Sequence, residues 1–305
     1  MEWEVRLIEW VQHNLGVLGL TVGKIFSFLG GETGMLLAVL IVLFCWKKEL
    51  GMRLALVVAA VNAWLPMIKV VVLRPRPYID YPSRVKTHEL SDPGAAPQNI
   101  AAQGYSFPSS HAASASVIYP SLARNTKKKW LWFVAIAIVL LVGFSRIAEG
   151  MHYPTDILAG WILGFVGIGV MALLEKFVKR EWIRSALLLA TALPGVFFVR
   201  TQDYFTSLGL LVGVIAAIPF ERKYIRFEDT KNVWAMILRT VLAFAIYFIL
   251  NKLMKLPFRS EFLDSGSFAA LLIRAIRYAL IIFVIFGIYP KAFPLYEKIG
   301  KKKAK

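Results

Sequence analysis

The chain has 305 residues, 58% of them hydrophobic and 18% charged, with a formal net charge of +17 and one cysteine. That balance excludes an ordinary soluble domain and, with a positive mean hydropathy, indicates a polytopic membrane protein. The lone Cys45 excludes an internal disulfide, and the apolar run before it marks it as a packing residue, so no redox chemistry is expected.

The first residues, MEWEVRLIEWVQHNL, carry acids where a signal peptide needs a basic region, so no cleaved targeting segment is expected. Residues 1–30 intersperse Glu2, Glu4, Arg6 and Glu9 with apolar and aromatic residues. This pattern suits an amphipathic helix lying in the membrane interface, with a further span as the alternative. Runs free of Lys, Arg, Asp and Glu follow at Thr33–Trp46, Leu54–Ile68, Pro93–Ala123, Trp130–Ser145, Ile157–Leu174, Ser185–Val199 and Tyr204–Phe220. Two longer apolar stretches, Val233–Asn251 and Ser267–Tyr289, contain Arg239, Arg274 and Arg277. Several runs fall short of the ~20 residues of a usual span, and Pro93–Ala123 turns helical only after Pro108. The expectation is nine membrane helices in an all-α polytopic bundle, divided into an N-terminal helix (1–30), a core (31–178) and about four additional helices with a basic tail (179–305).

A charge of +17 would suit nucleic acid, but the basic residues cluster in short loops between apolar runs, so no nucleic-acid partner is expected. With the segment after Trp46 facing the cytoplasm, the inner loops and tail hold 21 Lys and Arg against nine on the other side. The positive-inside rule favours this orientation, with the C-terminus cytoplasmic. Three polar segments then fall on the outer face.

The first is KVVVLRPRP, residues 69–77. Lys69 and Arg76 are two helical turns apart, on one face near a helix end marked by Pro75 and Pro77; snorkelling to lipid headgroups is the simpler use of such cations. The second is GYSFPSSHAAS, residues 104–114, where Ser109 and Ser110 after Pro108 read as a capped helix start. Its free N–H groups suit an anion, and His111 stands just inside as a proton donor, although a serine cap is often only structural. The third is SRIAEGMHYPTD, residues 145–156. It sets Arg146 and His152 around the end of one helix and Asp156, four residues after His152, early in the next, where the acid either orients the imidazole or merely pins a loop. Three cations gathered with only Asp156 and Glu149 as local carboxylates imply a bound anion, for which a phosphoryl group is the natural guest.

In order and spacing, Lys69–x6–Arg76–Pro77, then Pro108–Ser109–Ser110–His111, then Ser145–Arg146–x5–His152–x3–Asp156 resemble the three-part signature of the type 2 phosphatidic acid phosphatase superfamily. That superfamily also includes vanadium haloperoxidases and glucose-6-phosphatase. The resemblance covers roughly residues 30–178 and departs once, with Ser110 where the signature usually has glycine. It implies a six-helix-type phosphatase core. His152 would be the nucleophile forming a phosphohistidine, Asp156 would hold its tautomer, and His111 would protonate the leaving oxygen. Lys69, Arg76, Arg146, Ser109 and the Ser110 backbone would bind the phosphate oxygens. No metal and no cofactor is expected.

The long loop 74–107 contains Tyr78, Tyr81 and Arg84, which would shape a substrate entrance or simply belong to a solvated connector. In the C-terminal helices packing is the default, with substrate access or homodimer formation as alternatives, and Arg274 with Arg277 as candidates for lipid headgroup contact or an ion pair. The leading expectation is an integral lipid phosphatase of the bacterial plasma membrane. Its site would open on the extracytoplasmic face to a phosphorylated lipid such as undecaprenyl pyrophosphate, phosphatidate, phosphatidylglycerophosphate or a sphingoid-base phosphate. The alternatives are a phosphatase for a water-soluble sugar phosphate and a non-catalytic phospholipid carrier.

Overall fold

The computed structural model describes residues 2–87, 90–91, 94–126 and 128–299. His88, Pro93, Lys127 and the tail from Gly300 onward, which holds the Lys301–Lys303 run, lie outside the described residues. Among the described residues every regular element is helical. The long helices are α1 (Glu2–Gly30), α2 (Glu32–Ile41), α3 (Lys48–Val72), α4 (Ser110–Arg124), α5 (Trp130–Ala148), α6 (Pro154–Phe177), α7 (Glu181–Ala192), α8 (Gln202–Phe220), α9 (Val233–Leu253) and α10 (Phe268–Phe283).

Seven helical segments among the described residues are long and apolar enough to cross a membrane, or eight if the pair Gly23–Gly30 and Glu32–Trp46, bent by 61°, forms one span. The chain is an integral membrane protein. The two missing from the nine expected are that bent segment and α4, which begins only at Ser110 and is 15 residues long. The preceding Pro- and Gly-rich residues, which contain no charge, inflated the sequence run without extending the helix.

The chain forms two compact units, residues 1–35 with 65–170, and residues 36–64 with 171–305. In the first, α1 packs on α4 and α5, and α4 on α5. Gly16 interrupts α1 with φ 46° and ψ −140°, a conformation open mainly to glycine. Before that break Val5, Ile8 and Val11 recur on one face and are buried, while Trp3 and Trp10 are exposed. Val5 and Ile8 join Tyr78, Val85, Met151 and Tyr153 in one apolar cluster. A second cluster gathers Ala115, Val139 and Val142, with Phe26, Leu29, Tyr119 and Trp161 against it.

The end of α3 differs from the sequence expectation. Pro75 disfavours helical backbone at Arg74, and Leu73 takes a left-handed φ of 54°, so the helix stops at Val72. Arg76 therefore does not share a helix face with Lys69. It is the N-cap residue of a single turn, Pro77–Asp80, and reaches its position because the chain bends there.

In the second unit α8 packs on α10 through small residues; a methyl on Gly213 would stand 2.6 Å from the Ala279 carbonyl oxygen. Phe44, Phe227, Tyr289 and Phe293 form an edge-to-face aromatic cluster. Several buried charges of this unit find partners within it. Lys48 Nζ is 2.7 Å from Glu221 Oε1, and Arg239 Nη2 is 2.8 Å from Glu297 Oε1. Arg277 donates to Asn251 Oδ1 at 2.7 Å and Arg274 to Gln202 Oε1 at 2.5 Å, so among the described residues these two arginines engage neutral amides.

Candidate active site

All three signature segments belong to the first unit. The loop between α5 and α6 carries His152, with its backbone N–H on the Arg146 carbonyl at 3.3 Å. Its imidazole Nδ1 lies 3.5 Å from Asp156 Oδ2, and both side chains are buried. The four-residue spacing works because Pro154 opens α6 and Asp156 falls in its first turn, folding the carboxylate back toward the loop. Oδ2 also accepts from the Tyr153 backbone N–H at 2.8 Å, and the Ser106 hydroxyl bonds to the same carboxylate.

The N-terminus of α4 faces this pair. Ser109 is its N-cap; the hydroxyl accepts from the Ala112 N–H at 3.4 Å, and its own N–H donates to the Asp156 carbonyl at 3.0 Å. The first-turn N–H groups of Ser110 and His111 have no acceptor within an α-helix, which makes this end an anion site in waiting. Helix α6 comes close enough because of Gly160, where a methyl would stand 2.5 Å from the Ser109 carbonyl oxygen. His111 rests against the end of α1, where a methyl on Gly31 would stand 3.3 Å from its Nε2.

Three cations complete the site. Lys69 Nζ donates to the Tyr105 carbonyl at 3.1 Å. Arg76 donates to the Gln103 carbonyl at 2.9 Å, the Met151 carbonyl at 3.4 Å and the Ser91 hydroxyl at 2.9 Å. Arg146 bonds to Ser27 and Glu149. All three are buried. One sequence expectation needs correcting here: Arg146 already has a carboxylate partner in Glu149, three residues on. Burial, followed by Arg76, Lys69 and Arg146, holds the His152 imidazole well below its usual value; a backbone contact with Ser106 works weakly the other way. His152 is thus a neutral imidazole at pH 7.

Of the residues expected at an entrance, Tyr78 is buried in the apolar cluster beside Gln103. Arg84 is tied to α1 through Glu9 at 2.6 Å and Glu2 at 3.1 Å, and stands over the half-buried Tyr81 ring at 5.8 Å. These contacts fasten the loop to α1. Sequence reading missed Arg74 and Glu4. Arg74 Nη1 lies 2.7 Å from Asp156 Oδ1, and Nη2 lies 2.7 Å from Glu4 Oε2.

Residues 50–180 match the PAP2 superfamily, and residues 205–301 match the PAP2 superfamily phosphatase, transmembrane extension. A polytopic helical membrane protein with a buried His152, a serine-capped helix end and clustered cations is the class these features define, and the chain belongs to the PAP2 superfamily. It is 43% identical over 60 residues to the undecaprenyl-diphosphatase of Sulfolobus acidocaldarius, covering 20% of this chain and 29% of that protein. It is 33% identical over 85 residues to phosphatidylglycerophosphatase B of Bacillus subtilis, covering 25% and 42%. It is 34% identical over 115 residues to the lipid A 4'-phosphatase of Bacteroides thetaiotaomicron, covering 37% and 49%. The chain therefore spans less than half of each of these relatives. No solved structure matches it.

Proposed function

We propose that the protein is a lipid phosphatase that removes a phosphate or pyrophosphate from a membrane lipid at the extracytoplasmic face. The observation that carries the reading is the Asp156–His152 pair, 3.5 Å apart and buried, facing a helix N-terminus among Lys69, Arg76 and Arg146. Binding alone needs cations, whereas a neutral imidazole beside a buried carboxylate serves a nucleophile. His152 attacks phosphorus as the P–O bond to the lipid breaks, and His111 gives its proton to the leaving oxygen. Water then attacks the phosphohistidine, returns a proton to His111 and releases phosphate. Lys69, Arg76, Arg146 and the first N–H groups of α4 hold the charge that builds on the phosphoryl oxygens.

The relatives named undecaprenyl-diphosphatase, phosphatidylglycerophosphatase and lipid A 4'-phosphatase support lipid substrates as a class. The test is phosphate release by the purified protein in detergent with EDTA, using undecaprenyl pyrophosphate, phosphatidate, phosphatidylglycerophosphate, a sphingoid-base phosphate and glucose 6-phosphate. Release from a lipid that persists in EDTA and is lost in His152→Ala is expected. Release from glucose 6-phosphate alone, or from none, overturns the reading.

A further inference from the structure

Glu4 is 3% exposed, an unusual place for an acid near the start of an amphipathic helix. Its Oε1 accepts from the backbone N–H of Thr155 at 3.1 Å and from the Thr155 hydroxyl at 2.7 Å, so it caps the first turn of α6. Its Oε2 takes Arg74 Nη2 at 2.7 Å, while Arg74 Nη1 donates to Asp156 Oδ1 at 2.7 Å and to the Thr155 hydroxyl at 2.7 Å. The Arg74 guanidinium lies 3.8 Å from the centre of the Tyr153 ring. Asp156 is thereby divided: Oδ1 belongs to Arg74, and Oδ2 is left for Tyr153 N–H and His152.

Charge gives this arrangement its chemical sense. Arg74 and Asp156 alone form a neutral pair, which offers the imidazole only a dipole. With Glu4 the buried group carries one net negative charge behind His152. On the other side stand Lys69 from α3, Arg76 from the segment after it, His111 from α4, and Arg146 with its Glu149 from α5. Attack on phosphorus turns the imidazole into a cation beside Lys69, Arg76 and Arg146, and a net negative charge behind it stabilises that change in a poorly solvated site.

We propose that Glu4 is a positioning residue of the reaction, acting through Arg74 and the first turn of α6 on the Asp156–His152 pair. The inference rests on the phosphatase reading above. A carboxylate that only staples α1 to its neighbours would leave the imidazole untouched, which separates the two roles.

The experiment uses the full chain in detergent as wild type, Glu4→Gln, Glu4→Asp, Asp156→Asn and the Glu4→Gln/Asp156→Asn double variant. Activity on a lipid phosphate is read as kcat and KM separately. The histidines are followed by 15N NMR against pH, with the His152 signal assigned from His152→Gln. In Glu4→Gln, kcat falls roughly tenfold, as for loss of a group that orients a reacting ligand, KM stays within about twofold, and the His152 titration moves to lower pH. In the Asp156→Asn background the same substitution costs little more. Glu4→Asp, which keeps the charge, restores the His152 titration and covers the case in which Glu4→Gln does not fold. An unmoved titration in the folded variant, equal losses in both backgrounds, or a raised KM at constant kcat overturns the proposal. A wild type that hydrolyses no lipid phosphate overturns the phosphatase reading instead, and the NMR titration still decides the role of Glu4.

Discussion

Gly160→Ala tests whether the close approach of α6 to α4 sets the geometry of the site. A methyl there would lie 2.5 Å from the Ser109 carbonyl oxygen, 3.0 Å from the Ala112 Cβ and 3.2 Å from the Ala113 N–H. Ordinary contact begins near 3.4 Å, so about 0.9 Å must be found, and the obstructing atoms are mostly backbone that no rotamer change can move. The same helix end also accepts no slack from its other side, because the Ser109 N–H is bonded to the Asp156 carbonyl at 3.0 Å. Overpacking of this kind costs about 1–3 kcal/mol of stability, and a misplacement near 1 Å costs on the order of 100-fold in rate. Phosphate release should fall by that factor, while the thermal midpoint in detergent drops by only a few degrees. Gly169→Ala, on the same helix with nothing within 4 Å of the added methyl, is the control and should match wild type. Activity of Gly160→Ala within about threefold of wild type would refute the idea that this contact sets the site's geometry.

Because burial and the neighbouring cations lower His152, its folded value lies below the unfolded one near 6.5. The unfolded chain then takes up the proton first, so the stability linked to this group is present above about pH 6.5 and is lost as pH falls below it. The ascending limb of kcat/KM should accordingly lie below pH 6.5, and a limb above pH 7 would contradict the electrostatics. Ser110→Gly should leave activity within about threefold and cost less than ~1 kcal/mol, since the position contributes backbone and loses only helix propensity; a large gain in rate would mean the side chain crowds the phosphate. Lys48→Met should destabilise by about 3 kcal/mol, because Glu221 is fully buried and would keep only the Phe227 N–H at 2.8 Å. Thermal unfolding in detergent measures that change.

The signature residues were legible because phosphoryl chemistry restricts both residue type and spacing: a proline-opened helix fixes Asp156 relative to His152, and a serine cap fixes His111. The bent path through Leu73 was not, since the left-handed turn falls on a leucine and only Pro75 hints at it. Arg146 was read as one of three cations awaiting an anion, whereas Glu149 on the adjoining turn already meets it. Glu4 was hidden by its setting: acids in an amphipathic helix are expected on the wet face. The signal was nevertheless present, because Glu4, Ile8 and Val11 fall on one face at i, i+4 and i+7, and a carboxylate on an apolar stripe asks for a buried cation. Its partner Arg74 lies 70 positions away, a distance that periodicity cannot bridge.

The shortness of α4 has a consequence for how a substrate arrives. Its 15 residues rise about 22 Å at ~1.5 Å each, against a hydrocarbon layer of about 30 Å, and any tilt shortens its reach further. With the basic end at Arg124, Lys128 and Lys129 held at one surface, the serine-capped end stops roughly 8 Å beneath the other. On the proposed reading the reacting phosphate would then be met below the headgroup layer. For the proposed lipid phosphatase, a substrate would reach it by sliding sideways through the leaflet, its tail never leaving oil, and the product lipid would depart by the same two-dimensional route, while the freed phosphate alone crosses into water.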